Sequence, residues 1–314
     1  MRVLGIDTSN YTTSAAVLDT ETMDIVSERM LLPVKNGESG LRQSDAVFHH
    51  TKQLPLVISK LRNRCKLSEL SSIGVSVKPR LVEGSYMPCF SCGEGLADSI
   101  GSVMNVPVYK TSHQMGHILA ALYSANRLDM LLESFLAFHV SGGTTDCLLC
   151  TPSPNVMDIT EVSTSLDLKA GQLIDRTGVM LGLSFPCGAE LERLALSGKL
   201  TQTVRPVIKN GSCCLSGFQN KAEDVLKNGE CREDIALYVL NVCAETIYSM
   251  AKAARERFGN FPIIFAGGVM SDKIIRDFLE SRMNDICFGT PYYSCDNAAG
   301  AAIYAYISQH GGKP

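Results

Sequence analysis

Short apolar runs open the chain. VLGID, SAAVLD and DIVSERMLL have strand length and are set apart by turn residues, so three consecutive strands are expected before residue 33. From about Ser44 to Arg64 the period changes, with Val47, Leu54, Val57, Ile58 and Leu61 at helical spacing. SSIGVSV then reads as a strand, Cys89 to Met104 as a helix, VPVYK as a strand, and His113 to Leu122 as a helix. The pattern restarts near Leu131: FLAFHVS, DCLLCTP and MDITEVST are three more strands, followed by helices to about Ser197. A loop is expected between Gly198 and Gly217, a long amphipathic helix over Asp234 to Phe258, and late strands at PIIFAGGV and DICFGT.

The restart carries the most information. LGIDTSNYTTSAAVL and LAFHVSGGTTDCLLC share a layout of apolar strand, Ser-containing turn, Thr pair and second strand, displaced by about 130 residues. A duplicated α/β architecture follows, with lobes over 1–129 and 130–314. Two such turns, rich in backbone N–H and hydroxyl groups, could clamp a phosphate, although either one alone is more commonly just a hairpin. AGGVMSD lies between the strand PIIF and the helix IIRDFLE, so Gly267 and Gly268 would let a nucleotide approach the backbone near a helix N-terminus. Alone, a Gly-Gly after a strand is more often structural, and this one lacks the spacing of a dinucleotide fingerprint or a P-loop.

Composition narrows the class. The chain has 314 residues, 45% of them hydrophobic and 19% charged, which suffices for two packed cores. A net charge of −3 creates no general attraction for a polyanion, so a nucleic-acid partner must be met by a local patch or by another subunit. Arg62, Arg64, Lys66, Lys78 and Arg80 are the candidates, although exposed basic faces are usually just solvated. The first apolar run is short and broken by Asp7, and no segment reaches the length of a membrane span, so a cytoplasmic protein with no membrane partner is expected. Its twelve cysteines then read as reduced thiols. Cys147 and Cys150 would point to opposite faces of a strand and cannot easily chelate. Cys89 and Cys92 would share a helix face, with core packing the first explanation.

Two histidines form the metal signal. His113 and His117 in TSHQMGH are four apart on a helix, the spacing by which two imidazoles share one cation, and Asp296 in YYSCDNAAGAA is the proposed third ligand. A solvated or internally satisfied pair is the plain alternative. A zincin protease would carry Glu beside the first His, where this chain has Gln114, so peptidase chemistry is disfavoured.

Taken together, MRVLGIDTS, the HxxxH pair, VSGGTT, GQLIDRTGVMLGLSFPCG, LSGF, AGGV and CDNAAGAA resemble the TsaD family of tRNA threonylcarbamoyl transferases in order and spacing along nearly the whole chain. The resemblance implies the two-lobed actin and Hsp70-like ATPase (ASKHA) fold, with duplicated α/β lobes around a nucleotide cleft. It implies transfer of the threonylcarbamoyl group of threonylcarbamoyl-AMP to the exocyclic amine of an adenosine in tRNA. One iron or zinc ion is implied at His113, His117 and Asp296, with threonylcarbamoyl-AMP, ATP or AMP as the nucleotide. Ser141, Gly142 and Gly143 would cradle phosphate, and Asp175, Gly188 and Asn297 would contact ribose and phosphate. Thr145, Gly267, Gly268 and Asp272 complete the nucleotide loops, and Asp7, Ser9 and Thr144 take catalytic positions. A smaller TsaB-like paralogue and a TsaE-like ATPase are the implied partners.

Departures fall inside the site. Asn10, Tyr11 and Thr12 replace a family segment that carries two acids, Thr144 replaces a histidine, Gln172, Leu173, Ile174 and Arg176 depart from the family pattern around the retained Asp175, and Cys187 also differs. The chain therefore reads as a diverged paralogue. The alternatives are a nucleotide- and metal-binding regulatory or scaffold subunit, or transfer of a carbamoyl or acyl group to another acceptor.

Overall fold

The computed structural model describes the chain except for residues 10, 34–40, 201, 295, 296, 313 and 314 and the side chains of Ser294 and Asn297. In chain order the first elements are β1 (Arg2–Ser9), β2 (Thr12–Asp19), β3 (Ile25–Leu31), α1 (Gln43–Arg64), β4 (Leu70–Lys78), α2 (Phe90–Met104), β5 (Val108–Ser112) and α3 (His113–Ser124). They continue with β6 (Phe135–Val140), β7 (Thr145–Ser153), β8 (Val156–Thr164), α4 (Ala170–Met180), α5 (Gly188–Ala195), β9 (Val207–Lys209), β10 (Ser212–Cys214), α6 (Ser216–Lys227) and α7 (Arg232–Phe258). The last are β11 (Ile263–Ala266), α8 (Lys273–Arg282), β12 (Ile286–Phe288), α9 (Pro291–Ser294) and α10 (Asn297–Gln309).

Two compact units result. The first comprises Met1–Leu132, Pro152–Asp158 and Tyr292–Pro314, and the second Glu133–Thr151 and Ile159–Pro291. Each holds a five-stranded sheet, ordered β3-β2-β1-β4-β5 in the first and β12-β11-β6-β7-β8 in the second. Read from the other edge, the second order is the first over again. In both, the leading strand pairs antiparallel with its successor and parallel with a strand reached through helices. The restart in the sequence is thus a repeated topology.

The division departs from the expected cut between 129 and 130, because Tyr292–Pro314 joins the first unit. The cause lies in small residues. α10 rests directly on the sheet of β1 and β4, where a Cβ on Gly5 would overlap the Ala298 carbonyl and one on Gly74 the Ala301 carbonyl. Gly300 meets the Gly116 backbone of α3 in the same way. Nothing in the hydrophobic periodicity of AAGAAIYAY records this backbone-on-backbone fit.

α1 lies on the same unit through Ala46, His50, Leu54, Val57 and Leu61, a stripe with steps of three and four residues buried against β2 and β3. His50 occupies one step of that stripe, whereas the expected Val47 and Ile58 are only partly buried. In the second unit Phe138, Phe265 and Phe288 stack across adjacent strands with ring centroids 5.2 Å apart at each step. α7 packs over this core, with Val239, Cys243, Ile247 and Met250 among its buried residues. The stretch expected as a loop, 198–217, contains the β9–β10 hairpin and the start of α6.

Candidate functional sites

In the first unit, β1 brings Asp7 to the start of α3. Ser112 caps that helix by accepting from the Met115 N–H at 3.2 Å, which fixes His113 at the first helical position. His113 Nδ1 lies 3.0 Å from Asp7 Oδ2, and the Ser9 N–H donates to Asp7 Oδ1 at 3.0 Å. The His113 and His117 rings stand 4.6 Å apart at 72°, so the i, i+4 pair is brought together. Asp7 is wholly buried while the His113 side chain is 24% exposed. Burial alone would raise the Asp7 pKa, but His113 and the Ser9 hydrogen bond more than offset this and hold it below the usual carboxylate range.

The proposed third ligand, Asp296, lies outside the described residues, and so does the side chain of Asn297. Among the described residues no three His, Cys, Asp or Glu side chains come together to hold a metal ion. The described part therefore supplies two imidazoles and a carboxylate behind one of them. Of the replacements in the first turn, Tyr11 is half-exposed and accepts the Leu32 N–H through its carbonyl, and Asn10 is outside the described residues.

The sequence reading missed a buried polar network beside this turn. Thr13 Oγ1 donates to Gln53 Oε1 at 2.8 Å, so the His50 Nδ1–H, also at 2.8 Å, must be its donor. Burial pushes the His50 pKa down to about 4, against the opposing pull of the Asp7 carboxylate. The i, i+4 step from Ala46 to His50 to Leu54 was the available signal.

In the second unit, Ser141 to Thr145 form the turn between β6 and β7. Ser141 Oγ accepts from the Gly143 and Thr144 N–H groups and lies 2.9 Å from Thr144 Oγ1, which in turn lies 3.2 Å from His139 Nδ1. Thr144, expected to be catalytic, thus has its hydroxyl engaged within the turn. Thr145 is buried and accepts the Ala170 N–H, fastening α4 to the turn. Gly171 N donates to the Ser141 carbonyl, and no Cβ fits at Gly171 against that backbone.

Beside this turn lies a cavity of about 360 Å³. It gathers five of the expected nucleotide residues, Gly142, Asp175, Gly188, Gly268 and Asp272, and adds Glu192 and the apolar walls Ile174, Pro186, Ala189 and Val269. Ser141, Gly143, Thr145 and Gly267 do not line it. Gly267 has φ 100° and presses on the Val140 backbone, so its glycine is a packing requirement. The carboxylates are held: Asp175 Oδ1 accepts the Cys187 N–H, Glu192 Oε1 the Lys273 N–H, and Asp272 Oδ1 the Ile275 N–H as N-cap of α8. Burial raises the Asp272 pKa to about 6, relieved in part by the Ile275 N–H and reinforced by Glu192.

The remaining candidates divide simply. Cys147 and Cys150 are buried on β7, and burial pushes both thiol pKa values far up. Cys89 is buried with Leu32, Ala46 and Phe90 in a core cluster. In the basic patch, Arg64 is bound to Glu28 at 2.6 Å and to the Ser27 carbonyl at 3.1 Å, which leaves it poorly placed to take a phosphate. No helix among the described residues is long and apolar enough to cross a membrane.

Comparison with known proteins gives a consistent result. Residues 34–303 match the family model of tRNA N6-adenosine threonylcarbamoyltransferase, TsaD. The chain is 29% identical to the tRNA N6-adenosine threonylcarbamoyltransferase of Aromatoleum aromaticum, covering 100% of this chain and 94% of that one. It is 26% identical to a probable bifunctional tRNA threonylcarbamoyladenosine biosynthesis protein of Thermoplasma acidophilum, covering 91% of this chain and 51% of that relative. Among solved structures, the activator of 2-hydroxyisocaproyl-CoA dehydratase from Clostridium difficile, with bound ADPNP, superimposes with TM-score 0.55 at 15% identity, covering 99% and 96% of the two chains. HypF from T. kodakarensis gives 0.60 at 12% identity, covering 99% of this chain and 47% of that one. These structures share the two-lobed α/β fold of the ASKHA superfamily.

Proposed function

Because the chain belongs to the tRNA N6-adenosine threonylcarbamoyltransferase (TsaD) family, we propose that it transfers threonylcarbamoyl from threonylcarbamoyl-AMP to the exocyclic amine of adenosine in tRNA. The amine nitrogen forms a bond to the carbamoyl carbon, the bond from that carbon to the phosphate oxygen breaks, and AMP leaves with the electron pair while the amine loses a proton.

The observation that carries this reading is the second-unit cavity, where five nucleotide residues expected from sequence converge. Its volume falls within the range of small-ligand pockets. A nucleotide's phosphate would avoid Asp175, Glu192 and Asp272, whose carboxylates suit ribose hydroxyls, and would favour the backbone around Gly142 and Gly268, where an added Cβ meets no atom. The apolar walls suit a purine face.

The donor set of the first unit fits a divalent ion of the iron or zinc kind: two imidazoles share one helix face, and a carboxylate lies behind one of them. His113 and His117 would hold it with Asp296, and it would polarise the acyl carbonyl as a Lewis acid. Asp7, Ser9 and the Ser112 cap keep the first imidazole in place.

The test is transfer of labelled threonine to unmodified tRNA by the purified chain with threonylcarbamoyl-AMP and divalent iron or zinc, alone and with TsaB-like and TsaE-like partners. We expect label in tRNA, lost in both His113→Ala and Asp175→Ala. No label in any combination, with AMP still bound, would refute the transferase reading and favour a regulatory subunit.

A further inference from the structure

We propose that Asp7 is a positioning residue that fixes His113 as the Nδ1–H tautomer, leaving Nε2 as the ring nitrogen available to a cation. This rests on the metal reading above for its purpose, but its structural content does not depend on it.

Asp7 was expected to be catalytic, yet it is wholly buried, and each of its carboxylate oxygens already has a partner. A group so enclosed does not reach substrate. It does reach His113: Oδ2 sits 3.0 Å from Nδ1, and an ionised carboxylate can only accept, so the proton of that bond belongs to the imidazole. The strand and the helix cap hold the two ends of the bond independently, since Asp7 pairs with Ser14 across β2 while Ser112 sets the start of α3. The Ser9 N–H on Oδ1 keeps the carboxylate from turning away. Phe90, its ring centroid 5.9 Å from that of His113, packs against the imidazole as well. The result is a fixed ring that turns its other nitrogen, Nε2, away from Asp7, the arrangement by which a carboxylate behind a histidine orients it toward a metal.

Asp7→Asn is the discriminating substitution, because it keeps size and burial while supplying an amide that can donate to Nδ1. The imidazole proton would then move to Nε2 and block that nitrogen. Two readouts are needed. The first is the 15N spectrum of histidine-labelled parent protein without metal at about pH 8, where a free imidazole is neutral, with the His113 signals identified by their loss in His113→Ala. We expect the Nδ1–H pattern in the parent and the Nε2–H pattern in Asp7→Asn. The second is zinc affinity by competition with a chelator, which we expect to fall about 10- to 100-fold in Asp7→Asn.

An Nε2–H pattern in the parent would overturn the proposal even if Asp7→Asn failed to fold. Unchanged zinc affinity in a folded Asp7→Asn whose tautomer had switched would overturn the role in metal binding. If instead His113→Ala bound zinc as tightly as the parent, the metal reading itself would fall, while the tautomer result would still stand or fall alone.

Discussion

Two buried titratable groups pull the pH dependence of stability in opposite directions. His50 ionises near pH 4 in the folded chain against about 6.5 when unfolded, so between those values the unfolded state holds the extra proton. Its contribution is complete above about pH 6.5 and is lost as the pH falls toward 4, with a slope approaching ~1.4 kcal/mol per pH unit. Asp272 does the reverse. Its folded pKa of about 6 exceeds the ordinary carboxylate value, so the folded state holds the proton and stability declines as the pH rises from about 4 to 6. The two slopes mask each other in the parent and separate only in variants. We expect Asp272→Asn, which retains a good helix N-cap, to raise denaturant stability at pH 7 by ~1–3 kcal/mol. His50→Gln should flatten the acid side of the profile. Urea melts at pH 7, 6 and 5 for parent and both variants check the signs. A carboxylate kept at a cost to stability in the floor of the cavity is what a ligand-binding role would require, and its presence in AGGVMSD was legible in the sequence. The burial that shifts it was not, because it depends on Glu192 and the surrounding walls.

At the scale of elements, glycines with similar sequence settings have opposite meanings. Gly5 in the first strand and Gly74 in β4 face the carbonyls of α10, which cannot move without lifting the helix. Gly5→Ala and Gly74→Ala should each destabilise the chain by about 1–3 kcal/mol or more, the scale of core overpacking. Gly142 and Gly268 have room for a Cβ and line the cavity instead. Gly268→Ala should therefore leave the melting curve within about 0.5 kcal/mol of the parent and weaken AMP binding, measured by calorimetry. The long elements, α1, α2, α3 and α7, were readable from period and length, and so were the strands of both sheets. The β9–β10 hairpin was not. Its strands are three residues each, too short for alternation to show against a run of polar and small residues, and their partners are each other.

For the whole molecule, the repeated strand order could be anticipated from two similar turns about 130 residues apart, but the division of the chain could not. A cut at 129/130 follows from treating the chain as two consecutive copies; α10 breaks that order because its small residues complete the first unit's sheet rather than the second's. Hydrophobic patterning records how apolar a segment is, not which surface has the shape to receive it, and the Gly5, Gly74 and Gly300 approaches are matters of shape. This yields a prediction opposite to that of a consecutive arrangement. Removing 292–314 should leave Val3 and Leu18, which pack with Ala302 and Ala305, exposed on the first unit. The truncated chain should lose its cooperative first-unit unfolding transition and expose 1–132 to limited proteolysis, while 159–291 stays protected. If 1–132 remained protected and the second unit were digested instead, α10 would belong to the second unit and the packing at Gly5 and Gly74 would not be what holds the first together.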